Sequence, residues 1–164
     1  MKRYTQYLRS VIFLVLCISF FSFNVSAQTI PPFKMKLSNG TVFSASNLAK
    51  NKPVIIIYFA PDCEHCQVLM NQLFKKINEF KSAQIVMVTF KPINEVKQFE
   101  KHYNTAAYKN IKVGIEDPIF YFRYYFKLEN TPFTALYDKS RKLVYSWQKE
   151  TPVSDLLGRL KKIK

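Results

Sequence analysis

A cysteine pair at the end of a long apolar run constrains the fold of this chain most strongly. Residues 54–59 are apolar without interruption, and Cys63-Glu64-His65-Cys66 follows after a short polar link. Such a run is typical of a central strand buried on both faces. A helix that begins there would place both sulfurs in its first turn, where free N–H groups and the helix dipole stabilise a thiolate. Because residues three apart share one helix face, the spacing favours a reversible disulfide and thiol–disulfide exchange.

The N-terminus has the pattern of a secretory signal peptide. Three basic residues precede the almost wholly apolar residues 11–25, and a small-residue cleavage site ends at Ala27. The apolar stretch is shorter than the ~20 residues that span a bilayer. We therefore predict a cleaved signal peptide, residues 1–27, and one exported domain, residues 28–164, in a periplasm or another oxidising space. A retained membrane anchor is the alternative.

The cysteine count and the charge narrow the possible functions. Of the three cysteines, Cys17 lies in the predicted signal peptide, so only Cys63 and Cys66 remain in the exported domain. A secreted domain held together by disulfides carries several pairs at wider spacings, so this pair is predicted to react. The formal net charge is +14, but the lysines are scattered and no nucleic-acid motif is present. A solvated basic surface is therefore favoured over a nucleic-acid partner.

The hydrophobic pattern of the exported domain predicts a mixed sheet flanked by helices. Residues 33–43 have the pattern of a hairpin, and a helix with an apolar stripe from Leu69 to Phe80 follows the cysteine motif. Strand, helix and strand in this order predict a parallel strand pair. The remaining predicted elements are a strand at 85–90, a helix at 94–103, a short strand or extended link at 111–115, an antiparallel hairpin of strands 133–137 and 142–147, and a last helix that begins with Thr151 as cap and Pro152 at its first position.

The cysteine motif, the hairpin at 33–43 and Thr131-Pro132-Phe133 together resemble the thioredoxin superfamily, in particular its exported TlpA/ResA-like branch. The resemblance spans essentially all of residues 28–164. It implies a thioredoxin-like α/β fold with an N-terminal β-hairpin extension. It also implies that the peptide bond between Thr131 and Pro132 is cis, and that these two residues lie beside the cysteines and help to bind an extended substrate strand.

The resemblance further implies a thiol–disulfide oxidoreductase with a separate role for each cysteine. Cys63 would be the exposed attacking thiolate, and Cys66 the more buried thiol that resolves the mixed disulfide. The substrates would be protein thiols or disulfides, and a membrane-bound or soluble redox partner would restore the pair. No cofactor beyond the two cysteines is implied. The motif leaves the direction of electron flow open.

Two positions depart from the commonest pattern of the family. Ile57 stands six positions before Cys63, where many thioredoxins carry a buried carboxylate, so the sequence does not identify the proton acceptor of Cys66. Asp62 stands where many relatives have tryptophan, and its side chain is predicted to cap the helix.

The residues next to the cysteines are predicted to tune their redox chemistry. The charges of Asp62 and Glu64 raise the pKa of the Cys63 thiol, whereas protonated His65 and the helix N-terminus lower it. Two acidic neighbours against one mostly neutral histidine favour a reductant over an oxidant.

Metal binding by the same cysteines is the alternative from another functional class. Paired thiolates with a nearby histidine suit Cu(I), as in a metallochaperone of the cell envelope. A structural zinc site is disfavoured because it needs two further ligands and the chain has only His65 and His102 as histidines. A cysteine pair that only senses redox state is a third possibility. The residues around Cys63 do not match a peroxiredoxin site, which disfavours a peroxidase.

Residues 119–126 are unusually aromatic and come shortly before Thr131. We predict that Phe122 and Phe126 belong to the core and that the tyrosines are half-exposed packing residues. An apolar groove for unfolded substrate is the alternative.

Overall fold

The apolar run before the cysteine pair forms an interior strand of a seven-stranded sheet. The computed structural model of the chain describes residues 28–163. The strands are β1 (Lys34–Leu37), β2 (Val42–Ser44), β3 (Val54–Tyr58), β4 (Gln84–Thr89), β5 (Ile111–Asp117), β6 (Phe133–Tyr137) and β7 (Leu143–Gln148). Across the sheet they follow the order β2-β1-β5-β4-β3-β6-β7.

Parallel and antiparallel strands share this sheet, which confirms the predicted mixed architecture. β3, β4 and β5 are parallel neighbours, so the predicted parallel pair joined by a crossover helix is present. β6 pairs antiparallel with β3 and forms the predicted hairpin with β7. The N-terminal hairpin of β1 and β2 joins the sheet through antiparallel pairing of β1 with β5. The carboxyl ends of β3 and β4 therefore lie next to each other at one edge of the sheet.

Helices cover both faces of the sheet because β3 buries its residues alternately on the two sides. The helices are α1 (Glu64–Lys75), α2 (Ile93–Tyr103), α3 (Tyr121–Phe126) and α4 (Val153–Lys162). Ile55 and Ile57 pack with apolar residues of α1, α2 and α4. Ile56 and Tyr58 pack on the other side with Phe122 of α3 and residues around the N-terminal hairpin.

The helix after the cysteine motif ends at Lys75, before the predicted end of its apolar stripe at Phe80. Two other elements differ from the prediction because of contacts between distant segments. Thr151 does not cap the last helix: Pro152 is the N-cap, and the buried Thr151 hydroxyl donates a hydrogen bond to Oγ1 of Thr134 at 2.8 Å. β5 extends to Asp117 because its second half pairs with β1, where Lys34 lies opposite Asp117. The local pattern around residues 111–115 does not reveal that pairing.

The predicted signal peptide, residues 1–27, lies outside the described residues, so the division of the chain at Ala27 stays a prediction. Within residues 28–163, the structure contains no helix with the length and apolar character that a membrane crossing needs.

Candidate active site

The cysteine motif lies where β3 passes into α1. Cys63 is the N-cap of the helix and has extended backbone geometry, while Cys66 lies in the first turn. The backbone N–H of Cys63 donates to the carbonyl of Ala60 at 3.1 Å, and its own carbonyl accepts from the N–H of Gln67 at 2.9 Å. The sequence predicts both sulfurs in the first turn, but Cys63 lies one position before that turn. Both still lie at the positive end of the helix dipole.

The two free thiols have different surroundings. Cys66 is 1% exposed, and burial raises the pKa of its thiol to about 12. Burial also raises the pKa of the half-buried Cys63, but hydrogen bonds from the Thr131 side chain, Cys66 and nearby backbone N–H groups outweigh it. The net pKa of Cys63 therefore lies below its ordinary value. Because the thiolate is the nucleophile, Cys63 is the better attacking group.

Thr131 and Pro132 lie next to Cys63. The peptide bond between Thr131 and Pro132 is cis. The Sγ of Cys63 lies 3.5 Å from the carbonyl oxygen of Thr131, to which the thiol donates. Pro132 is buried, and its carbonyl accepts a hydrogen bond from the N–H of Lys149 at 2.9 Å. Binding of a substrate strand at these residues stays a prediction.

Asp62 does not cap α1, contrary to the prediction. The start of α1 has no side-chain cap hydrogen bond, and the exposed Asp62 carboxylate forms an ion pair with the ammonium group of Lys91. Lys91 comes just after β4, whose carboxyl end lies beside that of β3. The hydrogen bond from Lys91 lowers the pKa of Asp62. One of the two negative charges that the sequence places near Cys63 is therefore neutralised by a long-range contact.

Glu64 and His65, the two residues between the cysteines, are exposed to solvent. The expected rise in the pKa of Cys63 from acidic neighbours is not found. The hydrogen bonds around Cys63 lower its pKa instead, and Lys91 compensates Asp62. A tuning role for Glu64 and His65 stays a prediction.

A cavity of about 530 Å³ lies between α1 and α2 and reaches Cys66. Among the described residues, the carboxylates in its wall are Asp62 and Glu95. Ile57 is fully buried at the position where many thioredoxins carry a carboxylate. Sequence reasoning missed Glu95. The available signal was its place in the first turn of the helix after the second apolar strand, because neighbouring parallel strands end at the same edge of a sheet.

A second carboxylate is buried on the opposite face of the sheet. Glu116, at the end of β5, is 1% exposed. It accepts hydrogen bonds from the Tyr58 hydroxyl at 2.8 Å, the Phe120 N–H at 2.9 Å and the Phe122 N–H at 2.8 Å. Burial, together with the hydrogen bond from the Tyr58 hydroxyl to Glu116, raises the pKa of Tyr58 well above its usual range. Glu116 thus ties the central strand to the turn that opens α3, and no local sequence pattern marks it.

The aromatic segment at residues 119–126 divides between core and surface. Phe122 is fully buried, as predicted, and the half-buried Phe126 packs on Phe133 with ring centroids 4.5 Å apart. Tyr124, however, is 78% exposed, far more than a half-exposed packing residue. The segment therefore presents apolar area to solvent as well as to the core.

The fold and the site define a thioredoxin-like protein whose cysteine pair lies at a helix N-terminus beside a cis-proline. The AhpC/TSA family model matches residues 27–155. The chain belongs to the AhpC/TSA family, which confirms the resemblance to the thioredoxin superfamily. No curated protein matches the chain.

Solved structures share the fold at low sequence identity. A secreted Mycobacterium tuberculosis disulfide oxidoreductase homologous to E. coli DsbE has a TM-score of 0.66 and 16% identity, over 80% of this chain and 96% of that chain. The pneumococcal exposed lipoprotein thioredoxin from Streptococcus pneumoniae has a TM-score of 0.61 and 21% identity, over 80% and 99% of the two chains. A peroxiredoxin-like protein from Aquifex aeolicus has a TM-score of 0.67 and 15% identity, over 84% and 86%.

Proposed function

We propose that the protein is an exported thiol–disulfide oxidoreductase that exchanges a Cys63–Cys66 disulfide with protein substrates. The difference between the two thiols carries the proposal: Cys63 is accessible with a lowered pKa, while Cys66 is buried with a raised pKa. The family of the chain supports a redox enzyme of the thioredoxin kind. The secreted and surface-exposed neighbours support export.

In the reductive direction the reaction takes two displacement steps. The Cys63 thiolate attacks one sulfur of a substrate disulfide, which forms a mixed disulfide and releases the first substrate thiolate. Cys66 then gives up its proton, and its thiolate attacks the Sγ of Cys63. The second substrate thiolate leaves, and two electrons have passed from the cysteine pair to the substrate. The oxidative direction is the same sequence in reverse.

The backbone at Thr131 and Pro132 is proposed to align the substrate with Cys63. The Thr131 carbonyl lies 3.5 Å from the attacking sulfur, and Pro132 is held by the start of β6 and by the N–H of Lys149. A substrate strand that binds along the backbone of Thr131 and Pro132 would bring its disulfide to Cys63 without a change in the fold.

Of the two acidic neighbours that favoured a reductant, only Glu64 keeps an uncompensated charge, because Lys91 pairs with Asp62. The lowered pKa of Cys63 does not support the reductive direction, so a measurement has to decide it. A glutathione titration of the metal-free protein measures the reduction potential of the Cys63–Cys66 pair. A potential near about −270 mV, as for thioredoxin, supports a reductant that needs an electron supply. A potential near about −120 mV identifies an oxidant and contradicts the reductive direction.

Cysteine variants test the exchange reaction directly. With a peptide disulfide as substrate, Cys66→Ala is expected to accumulate the mixed disulfide at Cys63, and Cys63→Ala is expected to form none. Mass spectrometry of acid-quenched samples distinguishes the two. The absence of an adduct in Cys66→Ala would contradict the proposal. Faster oxidation of the wild-type thiols by hydrogen peroxide than by the peptide would point to a peroxidase instead.

Cu(I) binding by Cys63 and Cys66, with His65 nearby, is the rival function. Within residues 28–163, no group of three His, Cys, Asp or Glu side chains is arranged to hold a metal ion. A metallochaperone would retain one equivalent of Cu(I) through gel filtration and would leave peptide disulfides intact. The disulfide assay and the copper measurement therefore separate the two functions.

A further inference from the structure

An exposed apolar surface lies near the redox cysteines and plays no part in the exchange steps described above. Phe90, Phe120 and Arg123 contact one another in this surface. Ile119 precedes Phe120 in the chain, and Tyr124 lies one helical turn after Phe120, to whose carbonyl its N–H donates. These five residues are named here the rim patch. Ile119 is 48% exposed, Phe120 37% and Tyr124 78%. The rings of Phe90 and Phe120 lie 5.5 Å apart between centroids. Exposed apolar groups that adjoin one another mark contact surfaces more often than isolated ones do.

A short chain of contacts connects the rim patch to Cys63. The ammonium group of Lys91 lies 5.7 Å from the centroid of the Phe90 ring and pairs with Asp62. Asp62 immediately precedes Cys63 in the chain. From this connection we expect residues that flank a cysteine reacting at Cys63 to contact the rim patch.

The backbone holds the Phe120 side chain at the surface in an unfavourable conformation. Phe120 has a φ of +66°, a region that bulky residues rarely occupy. Two hydrogen bonds to the buried Glu116 carboxylate, from the N–H groups of Phe120 and Phe122, fix this turn. A glycine would adopt the same φ without strain. A strained residue kept in place by a buried network indicates a functional demand on its side chain.

Arg123 adds a charge that has no partner in the described part of the chain. Its guanidinium group lies over the rings of Phe90 and Phe120, at 5.6 and 5.5 Å from their centroids. Within residues 28–163 it forms no ion pair, and its buried Nε has no hydrogen-bond partner. The buried Nε is out of reach of a partner, but the terminal nitrogens of a half-buried guanidinium suit a carboxylate, which arginine can bind through two parallel hydrogen bonds.

We propose that the rim patch binds the polypeptide that flanks the reactive cysteine of the partner protein. This polypeptide carries an aliphatic or aromatic side chain, which packs on Ile119 and Phe120, and a carboxylate, which pairs with Arg123. The proposal rests on the proposed exchange function and adds its substrate class: proteins with an apolar and acidic segment next to the cysteine. Attraction between Arg123 and the carboxylate also selects against partners with a basic segment there.

Two synthetic peptide disulfides and one small disulfide provide the probes. The first peptide, about ten residues long, carries Phe and Asp beside its cysteine, and the second carries Ser and Asn in their place. Uncharged bis(hydroxyethyl) disulfide reports the chemistry of Cys63 alone. The measured quantity is the second-order rate constant for reduction by the purified, reduced protein. The variants are Phe120→Gly, which fits the positive φ, and Arg123→Gln, with Val42→Ser as a control at an exposed apolar site on β2.

The proposal predicts that Phe120→Gly slows reduction of the Phe-Asp peptide about fivefold or more, which corresponds to the cost of more than about 1 kcal/mol that a minority of interface residues carry. Arg123→Gln is expected to reduce the preference for the Phe-Asp peptide over the Ser-Asn peptide, because it removes the pairing with Asp and leaves the packing of Phe on Ile119 and Phe120. All variants are expected to reduce the small disulfide at the wild-type rate, and Val42→Ser is expected to match wild type throughout.

Several results would overturn the proposal. Wild-type rates for both peptides in Phe120→Gly and Arg123→Gln would do so, and so would an equal loss on the small disulfide. Phe120→Gly could instead abolish binding to anionic phosphatidylglycerol vesicles and leave the peptide rates unchanged, which would assign the rim patch to a membrane. If it abolished a dimer seen in sedimentation velocity and left the peptide rates unchanged, the rim patch would be assigned to a second copy of the chain. A wild-type protein inert to all three disulfides would instead refute the exchange function itself.

Discussion

Replacing Glu95 by glutamine tests how the buried thiol of Cys66 loses its proton. Burial raises the pKa of Cys66 to about 12, so at neutral pH almost all of this thiol is protonated. Cys66 and Glu95 line the same cavity between α1 and α2. The other carboxylate of that cavity, on Asp62, is engaged by Lys91. We therefore expect Glu95, directly or through water in the cavity, to take the proton when Cys66 attacks the mixed disulfide.

The size of the effect follows from the chemistry of proton transfer. A positioned general base contributes about 10²- to 10⁴-fold to such a step. Glu95→Gln is therefore expected to slow resolution of the mixed disulfide about a hundredfold at neutral pH. Without the base only the Cys66 thiolate reacts, so the rate in the variant is expected to rise about tenfold per pH unit across the alkaline range. The wild-type profile is expected to be shallower.

Ellman's reagent separates the two steps in stopped flow. Attack by Cys63 releases the first chromophore, and resolution by Cys66 releases the second. Glu100→Gln is the matched control, since Glu100 lies on the same helix and is not among the residues that line this cavity. Superimposable pH profiles for the second step in Glu95→Gln and wild type would refute the reasoning. Equal slowing in Glu100→Gln would point to a general effect of charge.

Three further predictions test other contacts of the site. Lys91→Met leaves the charge of Asp62 uncompensated and is expected to raise the pKa of Cys63, by less than about one unit because exposed ion pairs couple weakly. The pH dependence of alkylation by iodoacetamide measures the pKa of Cys63 in the variant and in wild type. An unchanged or lower pKa in the variant would contradict this prediction. The raised folded-state pKa of Cys66 stabilises the fold fully below the unfolded thiol pKa of about 8.5, and this contribution is lost as the pH rises toward about 12. We therefore expect urea denaturation of the reduced protein to show that the free energy of unfolding falls between about pH 8 and about pH 10 by about 2 kcal/mol more in wild type than in Cys66→Ala. Equal falls in the two proteins would be inconsistent with the burial argument. Mass spectrometry of protein exported by cells is expected to show a chain that begins at Gln28, whereas an intact N-terminus would favour the retained anchor.

The sequence predicted those parts of the fold that local pattern determines. The uninterrupted apolar run at residues 54–59 forms the interior strand β3. The segment at residues 33–43, for which the alternation of apolar and polar residues predicts a hairpin, forms the hairpin of β1 and β2. The cysteine motif predicted that a helix begins at this point, because cysteines three residues apart lie on one face of a helix, where they can form a reversible disulfide. The Thr131–Pro132 bond is cis, as the family resemblance implied, although most X–Pro bonds in folded proteins are trans.

Contacts between distant segments account for what the sequence did not predict. Asp62 is a sensible helix cap by local rules, but the parallel pairing of β3 and β4 brings Lys91 to it, and an ion pair forms instead. The pKa of Cys63 consequently departs from the direction that its neighbours in sequence suggested. Glu116 has no local mark of burial, because its three hydrogen-bond donors come from β3 and from the turn before α3.

The alternation of side chains along β3 separates the two functions proposed for the site. Ile57 faces the side of α1 and α2, where Cys66 and the cavity with Glu95 lie. Tyr58, the next residue, faces the other side and holds Glu116, which fixes the turn that presents the rim patch. A substitution in the cavity is therefore expected to change the resolution step and its pH dependence, and leave the choice of partner unchanged. A substitution of Phe120 is expected to do the reverse, because Phe120 and Glu95 share no contact and lie on opposite sides of the sheet. Lys91, which contacts the Phe90 ring and pairs with Asp62 in the wall of the cavity, is the residue through which the two groups are connected.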